Sequence, residues 1–288
     1  MDKNSSCSAG AGIRIVFADM DGTFCADDKS VPRANLEAVH ELSQRGIIFA
    51  ACTGRHFGGL PQELLQPGMA AYAICDSGAS IYRTGAGPIE VIDSSCVPRK
   101  TVEEIYERLE KLDIEIDIYV NRSIYTPATM YPYFEKERPF LSDDWYRYLD
   151  EVRTRFDGTY EDILDAYGDP YRLNVFFTTE EEAKVVKAVV DSITSVRGIR
   201  ALPINTEITN VKASKGSAAK RLCERLGISF SDAFAIGDGP NDYSMVSMAG
   251  IGAAVSNADD DLKSAASIVS TSNNDAGFAH ALHLAGIL

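Results

Sequence analysis

A short apolar run that stops abruptly at two aspartates is the feature that most constrains the fold of this sequence. Residues 13–23 read IRIVFADMDGT, and the first five of them are apolar except Arg14. A short apolar run followed at once by acids and glycine is typical of a buried parallel strand. Such a strand brings Asp19 and Asp21 to its carboxyl end, which is where open α/β sheets bind ligands.

Asp19 and Asp21 are separated by one residue, so we expect a crowded anionic site. Two neighbouring carboxylates repel each other when both are ionised, and a bound cation or a shared proton reduces this repulsion. The pair suits a metal-assisted reaction in which one carboxylate attacks and the other moves a proton. An EF-hand calcium loop also begins Asp-x-Asp-Gly, but it requires Gly and Glu where this chain has Phe24 and Ser30. A solvated turn is the alternative for this motif taken alone.

A second strand follows in the pattern of a βαβ unit. Residues 47–52 read IIFAAC and end at Thr53 and Gly54, after a helix predicted over residues 32–46. A right-handed βαβ unit places Thr53 beside Asp19. The Thr53 hydroxyl can donate a hydrogen bond, and Gly54 lets its backbone N–H approach a ligand closely. A helix N-cap is the alternative role for Thr53.

The middle of the chain changes from α/β alternation to an α+β pattern. Ten of the thirteen tyrosines lie between Tyr106 and Tyr171. Because this composition differs from that on either side, we expect an inserted second domain, with core packing as the favoured role of any single aromatic residue. The expected organisation is a disordered tail over residues 1–12, a core domain over residues 13–84 and 205–288, and an inserted α/β domain over residues 85–204.

The α/β rhythm returns near residue 205 and brings a lysine to the start of a helix. Lys215 and Gly216 precede a helix predicted over residues 217–226. A lysine in the first turn opposes the helix dipole, which suggests an anionic partner such as phosphate or a carboxylate. An ordinary surface lysine is the alternative.

A second strand also ends in an acidic, glycine-containing turn. Residues 233–237 read AFAIG and are followed at once by DGPND. Two such strand ends in one sheet bring Asp238 opposite Asp19 and Asp21. The polar residues expected at this sheet edge are Asp19, Asp21, Thr53, Lys215, Asp238, Asn241 and Asp242.

Oxygen ligands with no His or Cys nearby favour a hard cation, Mg²⁺ above Ca²⁺, Mn²⁺ or Zn²⁺. Such a cation together with Lys215 suits the charge stabilisation that phosphoryl transfer requires. We expect Asp19 to be the nucleophile, forming an aspartyl-phosphate. Asp21 is expected to protonate the leaving alkoxide and then to activate water.

These motifs resemble, in order and spacing, the four motifs of the haloacid dehalogenase (HAD) superfamily. They are DMDGT at residues 19–23, Thr53 in ACTGR, Lys215 in ASKG and GDGPND at residues 237–242. The insert after the third strand is similar in placement to the cap of the Cof-type hydrolases, a sugar-phosphatase-like branch. The resemblance implies an α/β fold, with a Rossmann-like parallel-sheet core and an inserted α+β cap domain.

The resemblance also implies roles for the site residues. Asp19 and Asp238 would bind Mg²⁺ through their carboxylates, and Asp21 through its backbone carbonyl. Asp242 would support Lys215 or a metal-bound water. The residues that would hold the substrate phosphate are Thr53, Gly54, Lys215 and Asn241.

We therefore expect a Mg²⁺-dependent phosphatase that acts on a small phosphorylated metabolite, in particular a sugar phosphate. One alternative is a phosphomutase on the same scaffold, and another is a non-catalytic phosphometabolite sensor, against which the full set of catalytic residue types argues. A signalling receiver is excluded because receivers have no inserted domain and lack an Asp two positions after the phosphoacceptor.

Composition limits the partners. The formal net charge of −14 argues against a nucleic-acid or anionic-membrane surface, although one local site can still bind an anion.

The six cysteines have no metal-ligand spacing, which favours buried free thiols in a reducing cytoplasm. No apolar stretch approaches the length of a membrane span, and residues 1–12 lack the apolar centre of a signal peptide. We expect a cytoplasmic protein that is a monomer or a weak homo-oligomer.

Overall fold

The computed structural model describes residues 12–85, 87–130, 136 and 138–288, without the side chains of residues 144, 145 and 148. The chain forms two compact units. The first unit contains the described residues up to Arg55, Leu60–Asp93 and Ser214–Leu288, and the inserted unit contains His56–Gly59 and Ser94–Ala213. The predicted tail, apart from Gly12, lies outside the described residues, as do Tyr131, Tyr133 and Phe134 of the aromatic-rich stretch.

The first unit contains an eight-stranded sheet with the order β14-β13-β12-β1-β2-β3-β4-β5. The strands are β1 (Ile15–Asp19), β2 (Ile48–Cys52), β3 (Tyr72–Cys75), β4 (Ser80–Arg83), β5 (Glu90–Ser94), β12 (Ala233–Gly237), β13 (Ile251–Ala254) and β14 (Ile268–Val269). The six strands from β14 to β3 in this order are parallel, and β4 is antiparallel to β3. The expected parallel α/β core is confirmed.

Helices cover both faces of this sheet. They are α1 (Arg33–Gln44), α6 (Lys215–Leu226), α7 (Tyr243–Met248), α8 (Asp260–Ala265) and α9 (Gly277–Leu284). Ile15 and Phe17 of β1 pack with Leu222 of α6 on one face. On the other face Phe49 lies with its ring centroid 5.5 Å from that of Phe278 of α9. β1 is therefore buried along its whole length, as its unbroken apolar run predicts.

The inserted unit contains a six-stranded sheet with the order β10-β11-β9-β6-β7-β8. Its strands are β6 (Glu115–Val120), β7 (Ser123–Pro127), β8 (Arg153–Phe156), β9 (Arg172–Phe176), β10 (Val196–Ile199) and β11 (Asn205–Asn210). Its helices are α2 (Arg99–Leu109), α3 (Asp143–Val152), α4 (Tyr160–Tyr167) and α5 (Glu180–Asp191). All strand pairs are antiparallel except β7 with β8. The α+β pattern expected for the insert is thus observed.

The two faces of β6 differ in chemistry. Ile116 and Ile118 belong to the apolar core formed with the helices. Glu115 and Asp117 point to the opposite face, where each lies 2.8 Å from the guanidinium of Arg153. The side chains of Arg153, Glu115 and Asp117 are all fully buried.

The predicted domain boundaries both lie too early in the chain. β5 follows the predicted boundary at residue 84, yet it belongs to the eight-stranded sheet. β11 begins at residue 205, which was assigned to the core, but it pairs with β9 and β10 in the inserted unit. The observed boundaries are at Asp93 and Ser214. Among the described residues, no helix has both the length and the apolar character needed to cross a membrane.

Candidate active site

The carboxyl ends of three neighbouring parallel strands meet at one sheet edge. Asp19 is in register with Cys52 of β2, and Ala18 is in register with Ile236 of β12. Thr53 and Asp238 follow within two residues of these partners, so both lie at the edge that carries Asp19. The predicted convergence of the strand ends is therefore present in the fold.

Three carboxylates are clustered at this edge. Asp19, Asp238 and Asp242 each place a carboxylate oxygen within 4.8 Å of the others. Asp19 and Asp242 are buried, and Asp238 is partly exposed. Gly237 makes the close approach of Asp242 possible, because a Cβ at this position would lie 2.4 Å from the Cβ of Asp242.

Lys215 is buried among these acids rather than exposed on the surface. Its Nζ donates to Asp19 Oδ1 at 2.5 Å and to Asp242 Oδ1 at 2.6 Å. Burial alone would lower the pKa of Lys215, but the charges of Asp19 and Asp242 outweigh it and raise that pKa. Lys215 is the first residue of α6, whose N-terminus is capped by the Ser214 hydroxyl accepting from Ser217 N. The predicted anionic partner of this lysine is thus a pair of carboxylates.

Burial and crowding raise the pKa of two of the three acids. Desolvation raises the pKa of Asp19 most, and the charges of Asp242 and Asp238 raise it further, against the opposing effect of Lys215. The pKa of Asp238 is also raised, first by burial, although a hydrogen bond with Asp19 opposes the shift. A carboxyl with a raised pKa disfavours its own charge, so a bound cation would relieve this cluster.

Asp242 is occupied by protein donors at both of its oxygens. Oδ1 accepts from Lys215, and Oδ2 accepts from the backbone N–H groups of Asp238 and Gly239, each at 3.1 Å. These bonds suit a residue that orients Lys215 and the turn after β12. They agree with the supporting role that the sequence resemblance implies.

The Asp21 carboxylate is bound by two cations and is not a member of the carboxylate cluster. Arg55 Nε donates to Asp21 Oδ2 at 2.7 Å, and Lys29 Nζ donates to Asp21 Oδ1 at 2.9 Å. Partial burial raises the pKa of Asp21, but the hydrogen bonds and charge of Arg55, with those of Lys29, lower it to about 2. The acids that crowd Asp19 are therefore Asp238 and Asp242, from the distant β12 turn, while Asp21 is neutralised separately.

Thr23 and Gly22 bring the loop after β1 against Asp238. Thr23 is fully buried, and its Oγ1 donates to Asp238 Oδ1 at 3.2 Å. Gly22 has a positive φ of 78°, and a Cβ there would lie 2.3 Å from Asp238 Oδ2. Only glycine therefore suits this position, both in backbone conformation and in space.

The residues predicted to hold phosphate differ in burial and in their contacts. Thr53 is buried, and its Oγ1 accepts from the backbone N–H of Arg55 at 3.0 Å. Gly54 is half-buried beside Ser77, and Asn241 is exposed in the turn after β12. Phosphate binding by Thr53, Gly54, Lys215 and Asn241 stays a prediction.

The residues present fit a divalent cation. Three clustered carboxylates and the Lys215 ammonium leave two negative charges at the sheet edge, which one divalent cation would balance. The donors are all oxygens, so the site suits a hard cation such as Mg²⁺. Asp19 and Asp238 are the better ligands, because Asp242 already accepts three hydrogen bonds.

Sequence reasoning left Arg55 out of the site and missed Lys29 and Thr23. Arg55 follows Gly54 directly, and the sequence leaves open both an approach to the phosphate and a structural ion pair; in the structure it pairs with Asp21. Thr23 belongs to the DMDGT motif, so its position next to two acids was the available signal. Lys29 is exposed in the loop and gives no signal of this kind.

Comparison with known proteins agrees with the geometry. A family model for haloacid dehalogenase-like hydrolases matches residues 16–282. The chain is 28% identical over 282 residues to a Bacillus subtilis (strain 168) protein named "Putative phosphatase YxeH", covering 94% of this chain and 97% of that protein. It is 24% identical over 288 residues to the 5-amino-6-(5-phospho-D-ribitylamino)uracil phosphatase YwtE of the same organism, covering 93% of this chain and 96% of that protein.

Solved structures share the fold over almost the whole chain. A haloacid dehalogenase-like hydrolase from Bacteroides thetaiotaomicron gives a TM-score of 0.77 at 22% identity, covering 94% of this chain and 99% of that one. The HAD subclass IIB sugar phosphatase BT4131 gives a TM-score of 0.73 at 24% identity, covering 96% of this chain and 100% of that one. The chain belongs to the haloacid dehalogenase-like hydrolase family, and its curated relatives include phosphatases.

Proposed function

We propose that this protein is a Mg²⁺-dependent phosphatase that hydrolyses a small phosphorylated metabolite, in particular a sugar phosphate, through an aspartyl-phosphate. The observation that carries the proposal is the position of Asp19. It is a buried carboxylate at the end of a central strand, held by the Lys215 ammonium and flanked by Asp238. This is an arrangement in which a carboxylate can attack phosphorus while nearby cations balance the charge.

In the first step an Asp19 carboxylate oxygen forms a bond to phosphorus, and the bond from phosphorus to the ester oxygen breaks. The leaving alkoxide takes a proton from Asp21. In the second step Asp21 takes a proton from water, whose oxygen attacks phosphorus and releases inorganic phosphate from Asp19. Lys215 holds Asp19 in one orientation throughout, because Asp242 fixes the lysine from its other side.

The pairing of Asp21 with Arg55 bears on the first step. With a pKa of about 2 and two bound cations, Asp21 is a carboxylate in this arrangement and has no proton to donate. An incoming phosphate is also an anion, and it would compete with Asp21 for the guanidinium of Arg55. Release from Arg55 would raise the pKa of Asp21 and allow it to act as the acid.

Asp19 and Asp238 would hold Mg²⁺ through their carboxylates, and the resemblance adds the backbone carbonyl of Asp21. When bound, Mg²⁺ would neutralise the phosphoryl oxygens and the carboxylates that face them. The raised pKa values of Asp19 and Asp238 support this assignment, since both acids lack a sufficient counter-charge without a cation.

The relatives support the substrate class. One solved relative is named a sugar phosphatase, and one curated relative is named for a phosphorylated ribitylaminouracil. Both names describe small phosphorylated metabolites.

The cysteines bear on the location of the protein. All five described cysteines are free thiols and four of them are buried, which supports the proposal of a cytoplasmic protein.

A phosphate-release assay tests the function. The purified protein would be incubated with sugar phosphates, nucleotides, pyridoxal phosphate and erythrose phosphate, with Mg²⁺ and with a chelator. We expect Mg²⁺-dependent release from a subset, with sugar phosphates foremost, and none from the Asp19→Asn variant. No release from any compound would contradict the phosphatase, and interconversion of sugar phosphates without release would point to the phosphomutase.

A further inference from the structure

Three asparagines donate hydrogen bonds to the backbone carbonyls of the loop that follows β1. Asn257 Nδ2 donates to Gly22 O at 2.8 Å. Asn35 Nδ2 donates to Phe24 O at 2.9 Å, and Asn273 Nδ2 donates to Cys25 O at 3.1 Å. Three of the four carbonyls from Gly22 to Cys25 are therefore held by side-chain amides from other parts of the first unit. We call Asn35, Asn257 and Asn273 the asparagine clamp.

Two members of the clamp are buried and cannot turn freely. Asn35 on α1 is fully buried, and its Oδ1 accepts from the backbone N–H of Ala279 at 3.1 Å. Asn273 is 1% exposed, and its amide also donates to Asp27 Oδ1 at 2.9 Å. Asn35 is thus bonded at both ends of its amide and Asn273 makes two bonds through its Nδ2, so both side chains are held in place and can fix the carbonyls they bind.

The third member is exposed but is oriented by the second. Asn257 Oδ1 accepts from the backbone N–H of Asn273 at 3.0 Å, which leaves its Nδ2 directed at Gly22 O. The hydrogen bond to this carbonyl matters because Gly22, as a glycine, has the greatest backbone conformational freedom in the loop. A hydrogen bond to its carbonyl fixes the peptide plane between Gly22 and Thr23 and so limits rotation at Gly22.

The two peptide planes that meet at Gly22 connect it to two residues of the candidate site. The plane before Gly22 contains the carbonyl of Asp21, which the resemblance makes a Mg²⁺ ligand. The plane after it leads to Thr23, whose hydroxyl donates to Asp238. A rotation at Gly22 would therefore move Thr23 away from Asp238 and change the direction of the Asp21 carbonyl together.

We propose that Asn257, oriented by Asn273, is a positioning residue for the Mg²⁺ site. It acts through Gly22, by holding the Asp21 carbonyl and the Thr23 hydroxyl in the orientation that binds the cation. The inference rests on the proposed function, because it concerns the metal site of that reaction. It assigns a role to an exposed side chain that contacts none of the candidate ligands directly.

The test measures Mg²⁺ binding without substrate, by isothermal titration calorimetry on the full chain. We expect Asn257→Ala to weaken Mg²⁺ binding about three- to tenfold, the value of one lost hydrogen bond. At saturating Mg²⁺ the kcat for the best substrate should fall while its KM stays within about twofold. The urea midpoint should change little, because Asn257 is exposed.

Asn274→Ala is the matched control. Asn274 is exposed in the same segment, but its Nδ2 donates to Asp27 Oδ2 and it holds no carbonyl between Gly22 and Cys25. Its Mg²⁺ affinity and kcat should equal those of the wild type. Asn273→Ser removes the bond to Cys25 O but keeps the backbone N–H that orients Asn257, so it should weaken Mg²⁺ binding less than Asn257→Ala.

The outcomes separate the inference from the proposed function. Wild-type protein that binds no Mg²⁺ would overturn both. Wild-type protein that binds Mg²⁺, with equal affinity and kcat in Asn257→Ala, would overturn the inference alone. An equal loss in Asn274→Ala, or a larger loss in Asn273→Ser than in Asn257→Ala, would also overturn it.

Discussion

The guanidinium of Arg55 binds both carboxylate oxygens of Asp21, with Nε 2.7 Å from Oδ2 and Nη2 2.5 Å from Oδ1. Because Arg55 lowers the pKa of Asp21, the Arg55→Ala change should raise that pKa from about 2 towards its ordinary value. The alkaline limb of the kcat/KM profile, which reports loss of the proton that Asp21 donates to the leaving group, should then move to higher pH. We also expect kcat to fall about ten- to a hundredfold, because Asp21 loses its orientation.

Two variants serve as controls for this pH–rate measurement. Arg55→Lys keeps the charge but loses the planar fork, so it should give an intermediate profile. Lys29 is 64% exposed, and Lys29→Ala should shift the alkaline limb of the profile less than Arg55→Ala does. An unchanged profile in Arg55→Ala would contradict the role of this ion pair.

Asp21→Asn should slow both chemical steps, because an amide neither donates the proton to the leaving group nor accepts one from water. We expect kcat to fall about 10²- to 10⁴-fold. Rapid acid quench with labelled substrate would measure the phosphorylated protein. Asp28→Asn is the control, since the exposed Asp28 carboxylate accepts from Ser30 and is not a member of the carboxylate cluster. Near wild-type turnover by Asp21→Asn would show that another group moves the proton.

Asp19→Asn should abolish turnover and yet increase stability in chelator at neutral pH. The folded-state pKa of Asp19 is raised, so its ionised form is disfavoured in the folded protein and the stability it contributes is lost as pH rises through that pKa. The gain in Tm over the wild type should shrink below about pH 4, where the wild-type carboxyl is neutral in both states. A lower Tm in the variant at pH 7 would contradict this electrostatic account.

Lys215→Met should destabilise the protein strongly. The change leaves Asp19 and Asp242 buried without their shared cation, and removal of one partner of a buried ion pair costs about 3–5 kcal/mol. Urea unfolding in chelator would measure the loss, and Mg²⁺ should restore part of it. Lys220→Met on the same helix is the control, because Lys220 is exposed and should cost less than about 0.5 kcal/mol. Equal effects of the two changes would contradict the buried pairing.

Arg153→Met should destabilise the inserted unit by about 3–5 kcal/mol, since Glu115 and Asp117 would remain buried beside an apolar side chain. The triple change to apolar residues at Arg153, Glu115 and Asp117 should cost less than the single change, because it leaves no buried charge. Arg155→Met, at an exposed position two residues later on β8, is the control. Urea unfolding would give the free energy of unfolding of the three variants. A triple variant that is less stable than Arg153→Met would contradict the prediction.

The sequence predicted the parallel core well because its two central strands, β1 and β12, are fully buried. The apolar runs at β1, β2 and β12 stop at polar residues, so the sequence shows where each strand ends and which polar residues follow it. The β12 prediction matches Ala233–Gly237 in full. Asp19, Asp238 and Lys215 were placed at one edge for the same reason, since parallel strands leave only one edge for such residues.

The inserted unit was predicted less completely. β7, β8 and β10 are short, and β8 (Arg153–Phe156) reads RTRF, which has no apolar alternation. Arg153 is buried on the face of the sheet opposite the apolar core, where Glu115 and Asp117 pair with it. Such a pairing between distant positions leaves no local pattern.

The charge state of the site also escaped prediction. In the sequence one residue separates Asp19 from Asp21, and we expected these two acids to crowd each other. In the fold Asp21 pairs with Arg55, and the acids near Asp19 come from the turn after β12. Which of several nearby carboxylates share a space depends on side-chain direction, which spacing in the chain does not determine.

The place of β1 in the sheet has a consequence for synthesis on the ribosome. β1 has β2 on one side and β12 on the other, and β12 begins only at Ala233. While the inserted unit is being translated, one edge of this apolar strand is therefore open and can pair with other chains. Lys215 and Asp238 are also still to be made. A chain truncated within the inserted unit would therefore lack part of the candidate active site and would leave one edge of β1 unpaired.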